Sequence, residues 1–76
     1  MIKAYCMINV KPGQEDAVIK RLKNDSRVSQ ADSVYGEYDV VALISAKDMK
    51  DLQDFLMDKI RKIKSIEKTS TMIAMK

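Results

Sequence analysis

The chain has no histidine, no tryptophan and a single cysteine among its 76 residues, and these gaps bear first on chemistry. Without imidazole or a second thiol, a zinc site of the usual ligand types is not expected, and Cys6 cannot close a bridge within the chain. No serine stands in a nucleophile-elbow context either, so acyl transfer and metal-assisted hydrolysis lack their machinery. The only two glycines, Gly13 and Gly36, stand apart and form no phosphate-cradling loop. No apolar run is long enough to cross a bilayer. The opening Met1-Ile2-Lys3-Ala4-Tyr5-Cys6 has neither the charged-then-apolar order nor the cleavage site of a signal peptide. These absences predict a cytoplasmic binding protein with no metal, cofactor or catalytic residues, and no membrane partner.

What is present is one small domain spanning residues 1–76. A chain of this length buries only roughly 60 per cent of the surface its unfolded form exposes, so its core needs outside support. With disulfide and metal set aside, self-association is the expected source. The net charge of +3 is too modest to demand a polyanion. Lys59, Arg61, Lys62, Lys64 and Lys68 crowd the late part of the chain, a pattern read as a helix end whose cations complement the macrodipole rather than as a nucleic-acid surface.

Along the chain, Ile2 to Val10 alternates, with Ile2, Ala4, Cys6, Ile8 and Val10 on one face of a strand. The other face carries Tyr5 and Met7 at its centre. Pro12-Gly13 ends the strand, and a helix with Ala17, Val18, Ile19 and Leu22 on its buried side runs to about Lys23. Arg27 to Tyr35 reads as an edge-like strand. Gly36-Glu37 then makes a short antiparallel connection into Tyr38 to Ala46, whose centre, Val40 to Ile44, is apolar at five consecutive positions. A strand without polar alternation is one covered on both faces. Asp48 is positioned to cap a second helix, with Asp51 three residues on and Met49, Leu52, Phe55, Leu56, Ile60 and Ile63 at helical spacing. Ile66 to Met75 forms the last strand.

The order is strand, helix, strand, strand, helix, strand. Two right-handed crossovers joined by a hairpin give an α+β, ferredoxin-like βαββαβ fold: a four-stranded antiparallel sheet with both helices on one face. The other face would then expose Tyr5, Met7, Met72 and one alternate set of the third strand, taken as Val41 and Leu43. That is more apolar surface than a soluble monomer leaves bare, and sheet-to-sheet packing in a two-fold dimer is expected.

The hairpin offers binding chemistry. A glycine at a tight turn frees backbone N–H groups that can meet a carboxylate, and Asp39 offers a charge for an ammonium group. Thr69, Ser70 and Thr71 supply hydroxyls. Each has a plainer explanation: a turn aspartate bonds nearby backbone, and threonine favours strands. Physical chemistry alone leaves both open.

Three stretches carry a resemblance: Val10-Lys11-Pro12-Gly13, Gly36-Glu37-Tyr38-Asp39 and Thr69-Ser70-Thr71-Met72-Ile73. In this order they resemble the ligand-binding module of the Lrp/AsnC (feast/famine) transcriptional regulators over essentially the entire length. The resemblance implies a homodimer stacked through its sheets, assembling further into octamers or similar rings, with a small-molecule amino acid bound near the hairpin. It carries a ligand-binding role to Gly36, Tyr38, Asp39, Thr69 and Thr71. Because strand one begins at residue 2, the chain looks like a stand-alone module without the family's helix-turn-helix. Direct nucleic-acid contact is then not expected, and joining the assembly of full-length Lrp/AsnC regulators is the implied route to transcription. The alternatives are an ACT-like regulatory domain, with sheets side by side, and a small dimeric ferredoxin-like enzyme with a cavity between sheet and helices.

Overall fold

The structure, a computed structural model, describes residues 1–75. Strands β1 (Ile2–Val10), β2 (Val28–Ser33), β3 (Val40–Ala46) and β4 (Ile66–Ile73) form one antiparallel sheet in the order β2-β3-β1-β4. Helix α1 (Glu15–Lys23) joins β1 to β2, and α2 (Met49–Phe55) continues directly into a π-helical turn, Leu56–Ile60, before β4. The ferredoxin-like order expected from the alternating elements is the one observed.

The core follows from strand periodicity. Ala4, Cys6, Ile8 and Val10 of β1 and Val40, Ala42, Ile44 and Ala46 of β3 are buried on the helix side. They meet Val18 and Leu22 of α1, Leu52 and Phe55 of α2, and Ile60 and Ile63 beyond it. Burying a side chain such as Phe55 contributes about 1.5–3 kcal/mol. The small Ala4, Ala42 and Ala46 let the helices lie close to the sheet.

Several boundaries differ from the sequence reading. Ala17 and Met49 are exposed, because Val18 with Leu22, and Leu52 with Phe55, already fill the inward stripe of each helix. The hairpin connection is not two residues but the loop 34–39, closed where the Val34 N–H donates to the Asp39 carbonyl at 2.9 Å. The second helix does not stay α-helical to Ile63. At its end the Arg61 N–H reaches back to the Leu56 carbonyl, 3.1 Å away, in the i to i−5 pattern of a π turn. Asp48 does cap α2, its carboxylate accepting the Asp51 N–H at 2.8 Å.

Pairing in β4 is regular from Ile73 back to Lys68 and then slips: Asn9 pairs with Lys68 but Val10 with Ile66. Such a bulge kinks the strand and commonly re-aims side chains at a sheet's rim. Here it falls at the end of β1 that meets loop 34–39.

Candidate functional site

Loop 34–39 is built around Asp39. On its β3 side β1 pairs as far as Ile8 with Val40, so the N–H of Val10 has no strand partner there. The Asp39 carboxylate takes that place: Oδ2 accepts the Val10 N–H at 3.0 Å and the Asn9 amide at 3.3 Å. Asn9 also donates to the Glu37 carbonyl at 3.0 Å, and the Asp39 N–H donates to the Ile8 carbonyl at 2.9 Å. Four bonds thus clamp the loop to the end of β1. The second oxygen, Oδ1, accepts no hydrogen bond among the described residues.

Gly36 at the tip has φ +147°, a conformation that side chains with a Cβ rarely adopt. Tyr35 is fully exposed beside it. Tyr38 is half-buried, with the Lys68 ammonium 6.0 Å from its ring centre. Lys68 is therefore part of the sheet near the loop and not of the helix end. A depression of about 420 Å³ beside the loop is lined by Glu15, Ser33, Val34, Tyr35 and Asp39.

Thr69 and Thr71 lie elsewhere. In the β4 register they stand opposite Ile8 and Cys6, whose side chains enter the core, so both threonines are on the helix side of the sheet. The Thr71 hydroxyl contacts the Cys6 sulfur at 3.7 Å. Burial is the larger influence on that thiol and raises its pKa, with the hydroxyl working against the rise. The two threonines border a groove of about 250 Å³ between β4 and the π turn, shared with Gln53, Leu56, Met57, Ile60 and Arg61. Of the residues expected to bind a ligand, Gly36, Tyr38 and Asp39 therefore share the loop 34–39, and Thr69 and Thr71 are on β4, on the helix side of the sheet.

The open face of the sheet carries the five residues expected there. Tyr5 stands between Leu43 and Met72, and Met7 beside Val41. They form one contiguous apolar surface across β3, β1 and β4, and Tyr5 and Met72 are 38% and 51% exposed. The register settles which half of β3 faces outward: Val41 and Leu43.

The family model for the Lrp/AsnC ligand-binding domain matches residues 3–76. The chain belongs to the Lrp/AsnC family. It is 33% identical to the HTH-type transcriptional regulator FL11 of Pyrococcus furiosus over 99% of its own length and 49% of that protein's. The chain thus spans about half the length of the curated relatives it matches. A hypothetical protein of Pyrococcus horikoshii, PHS023, superimposes with a TM-score of 0.96 at 38% identity, covering 100% of this chain and 92% of that one. A feast or famine regulatory protein from M. tuberculosis, solved in complex with L-methionine, gives a TM-score of 0.83 at 27% identity, over 100% of this chain and 51% of its own.

Within this Lrp/AsnC domain, one polar cluster escaped the sequence reading. Arg27 chelates Asp25 through Nε at 3.0 Å and a terminal nitrogen at 2.8 Å. Its other terminal nitrogen meets the Asp51 carboxylate at 3.1 Å and the Asp51 carbonyl at 3.2 Å. The guanidinium also lies 5.3 Å from the centre of the Phe55 ring. Hydrogen bonding to Arg27 holds the Asp25 carboxyl below its usual range, and the Lys47 N–H, then Arg27, does the same for Asp51. The available signal was an aspartate and an arginine flanking Ser26, the i,i+2 arrangement of a turn that binds its own side chain.

Proposed function

We propose that this domain is an amino-acid-responsive, self-assembling module of transcriptional regulation. The observation that carries the reading is the clamp at Asp39. A carboxylate fixed by Val10 and Asn9 through one oxygen, with the other oxygen accepting no bond among the described residues and a depression beside it, is preorganised to receive an ammonium group. The exposed loop around Gly36 supplies backbone N–H groups for the ligand's carboxylate, and Tyr38 a wall for its side chain. Thr69 and Thr71, on the helix side of β4, complete its shell from a neighbouring copy.

Self-assembly is supported by the surface of Tyr5, Met7, Val41, Leu43 and Met72, which stacks on the same surface of a second copy. Dimers then join near loop 34–39 into a larger ring, such as an octamer. Mixed assembly with longer Lrp/AsnC regulators connects effector binding to transcription. The test pairs light scattering with calorimetry against the standard amino acids. The expected result is a dimer or larger that binds at least one of them saturably. An intact assembly that binds none would reduce the domain to an oligomerisation element.

A further inference from the structure

The tip of loop 34–39 and the groove between β4 and the π turn are both left unfilled within one chain. Tyr35 is fully exposed, and Val34 beside it is exposed too. This is not the exposure of a loose loop. The Val34 N–H is tied to the Asp39 carbonyl and the Glu37 carbonyl to the Asn9 amide, so the tip is held on both sides of Tyr35. A tyrosine fixed in this way has few torsions left to immobilise, the condition under which it anchors an interface.

The groove has the matching features. Leu56, Met57 and Ile60 form an apolar wall, and Met57 is 53% exposed although Phe55 and Ile60 to either side of it are buried. An apolar cavity of about 150 Å³ admits a benzene ring, so a groove of about 250 Å³ has room for one phenol. Its one charged lining residue is Arg61, and no carboxylate lines it. The loop has the opposite sign, with Glu15, Glu37 and Asp39 around it. Arg61, Glu15 and Glu37 make no ion pair among the described residues.

We infer that Tyr35 of one copy seats in this groove on a neighbouring copy, and that this contact joins sheet-stacked dimers into the larger ring. Sharing of the ligand's shell, with Thr69 and Thr71 from a neighbour, already brings the two surfaces together, and the contact rests on that reading. The phenol lies on Leu56, Met57 and Ile60 within reach of the Arg61 guanidinium, and the threonines on the β4 side stay open to the ligand at Asp39. Tip and groove are different surfaces, so the contact is head-to-tail, the kind that closes a ring, whereas the sheet face meets its own copy and stops at two. Each dimer offers two tips and two grooves, so two dimers join through paired contacts that a lone monomer lacks.

Light scattering of the whole chain, with and without each standard amino acid, reads the contact. Tyr35→Ala is expected to leave dimers, weakening dimer–dimer association about thirtyfold or more, with an unchanged circular dichroism spectrum. Met57→Asp in the groove should do the same, and Tyr35→Phe should keep the parent's mass. Tyr35→Cys mixed with Met57→Cys and treated with a short bis-maleimide should give a covalent pair joining the two variants; Cys6 is buried and does not compete. Tyr35→Ala at the parent's mass, or cross-links joining only Tyr35→Cys to itself, would overturn the inference. A parent that is a dimer under every condition would overturn it too, while saturable amino-acid binding by that dimer would keep the role of Asp39. A ring with the cross-link but no amino-acid binding would sink that role and support this contact.

Discussion

At the scale of single residues, Asp39 holds two duties that substitution separates. Its carboxylate satisfies the Val10 N–H, a group with no strand partner, so removing it leaves a half-buried donor unpaired at a cost of about 1–3 kcal/mol. Asp39→Ala should therefore lower thermal stability with no ligand present. Asp39→Asn keeps a carbonyl oxygen for Val10 and should stay within about 1 kcal/mol of the parent, while losing the charge that would hold an ammonium group. Amino-acid affinity is expected to fall more than about tenfold in Asp39→Asn; calorimetry showing unchanged affinity would remove the carboxylate from the binding site. Sequence inspection placed a turn carboxylate here, and a binding carboxylate, without choosing between them. The choice depends on which oxygen is already bonded, and on a break in the β1–β3 ladder that spacing does not reveal.

At the scale of elements, strand alternation was the most legible feature. Ile2 to Val10 assigned its own inner face because every second residue is apolar, and Asp48 announced the start of α2. The π turn left no such mark, since Leu52, Phe55, Leu56 and Ile60 recur as well in an α-helix as in a widened one. Nor was the tie between the α1–β2 turn and α2 visible, because Arg27 and Asp51 are 24 positions apart. That tie has a pH signature. The folded-state values of Asp25 and Asp51 are depressed, so their contribution is fully present above the unfolded carboxyl range near 4 and is lost as pH falls through the lower folded values. Arg27→Ala should cost about 1–2 kcal/mol at neutral pH, the scale of a well-formed bidentate pair at a partly exposed site. Urea titrations should show the gap between variant and parent narrowing below about pH 4. A gap that stays constant down to pH 2 would mean that Arg27 acts through its packing on Phe55 instead.

At the scale of the whole molecule, the apolar excess of Val40 to Ile44 divides into two halves with different partners. Val40, Ala42 and Ile44 meet the protein's own helices. Val41 and Leu43 look outward with Tyr5, Met7 and Met72, and which half would do so was undecidable until pairing with β1 fixed the register. If this outward face packs on a second copy, a charge at its centre must be desolvated without a partner, which costs several kcal/mol. Met7→Asp should then weaken self-association by more than about a hundredfold and yield a folded monomer by light scattering and circular dichroism. Ala17→Asp makes the same change of charge on the exposed side of α1 and should leave the mass unchanged. The parent's melting temperature should also rise with protein concentration, as it does when unfolding is linked to dissociation, and that dependence should vanish in Met7→Asp. A Met7→Asp protein that keeps the parent's mass would show that assembly uses another surface, and the apolar row from Leu43 through Tyr5 to Met72 would then require a different occupant.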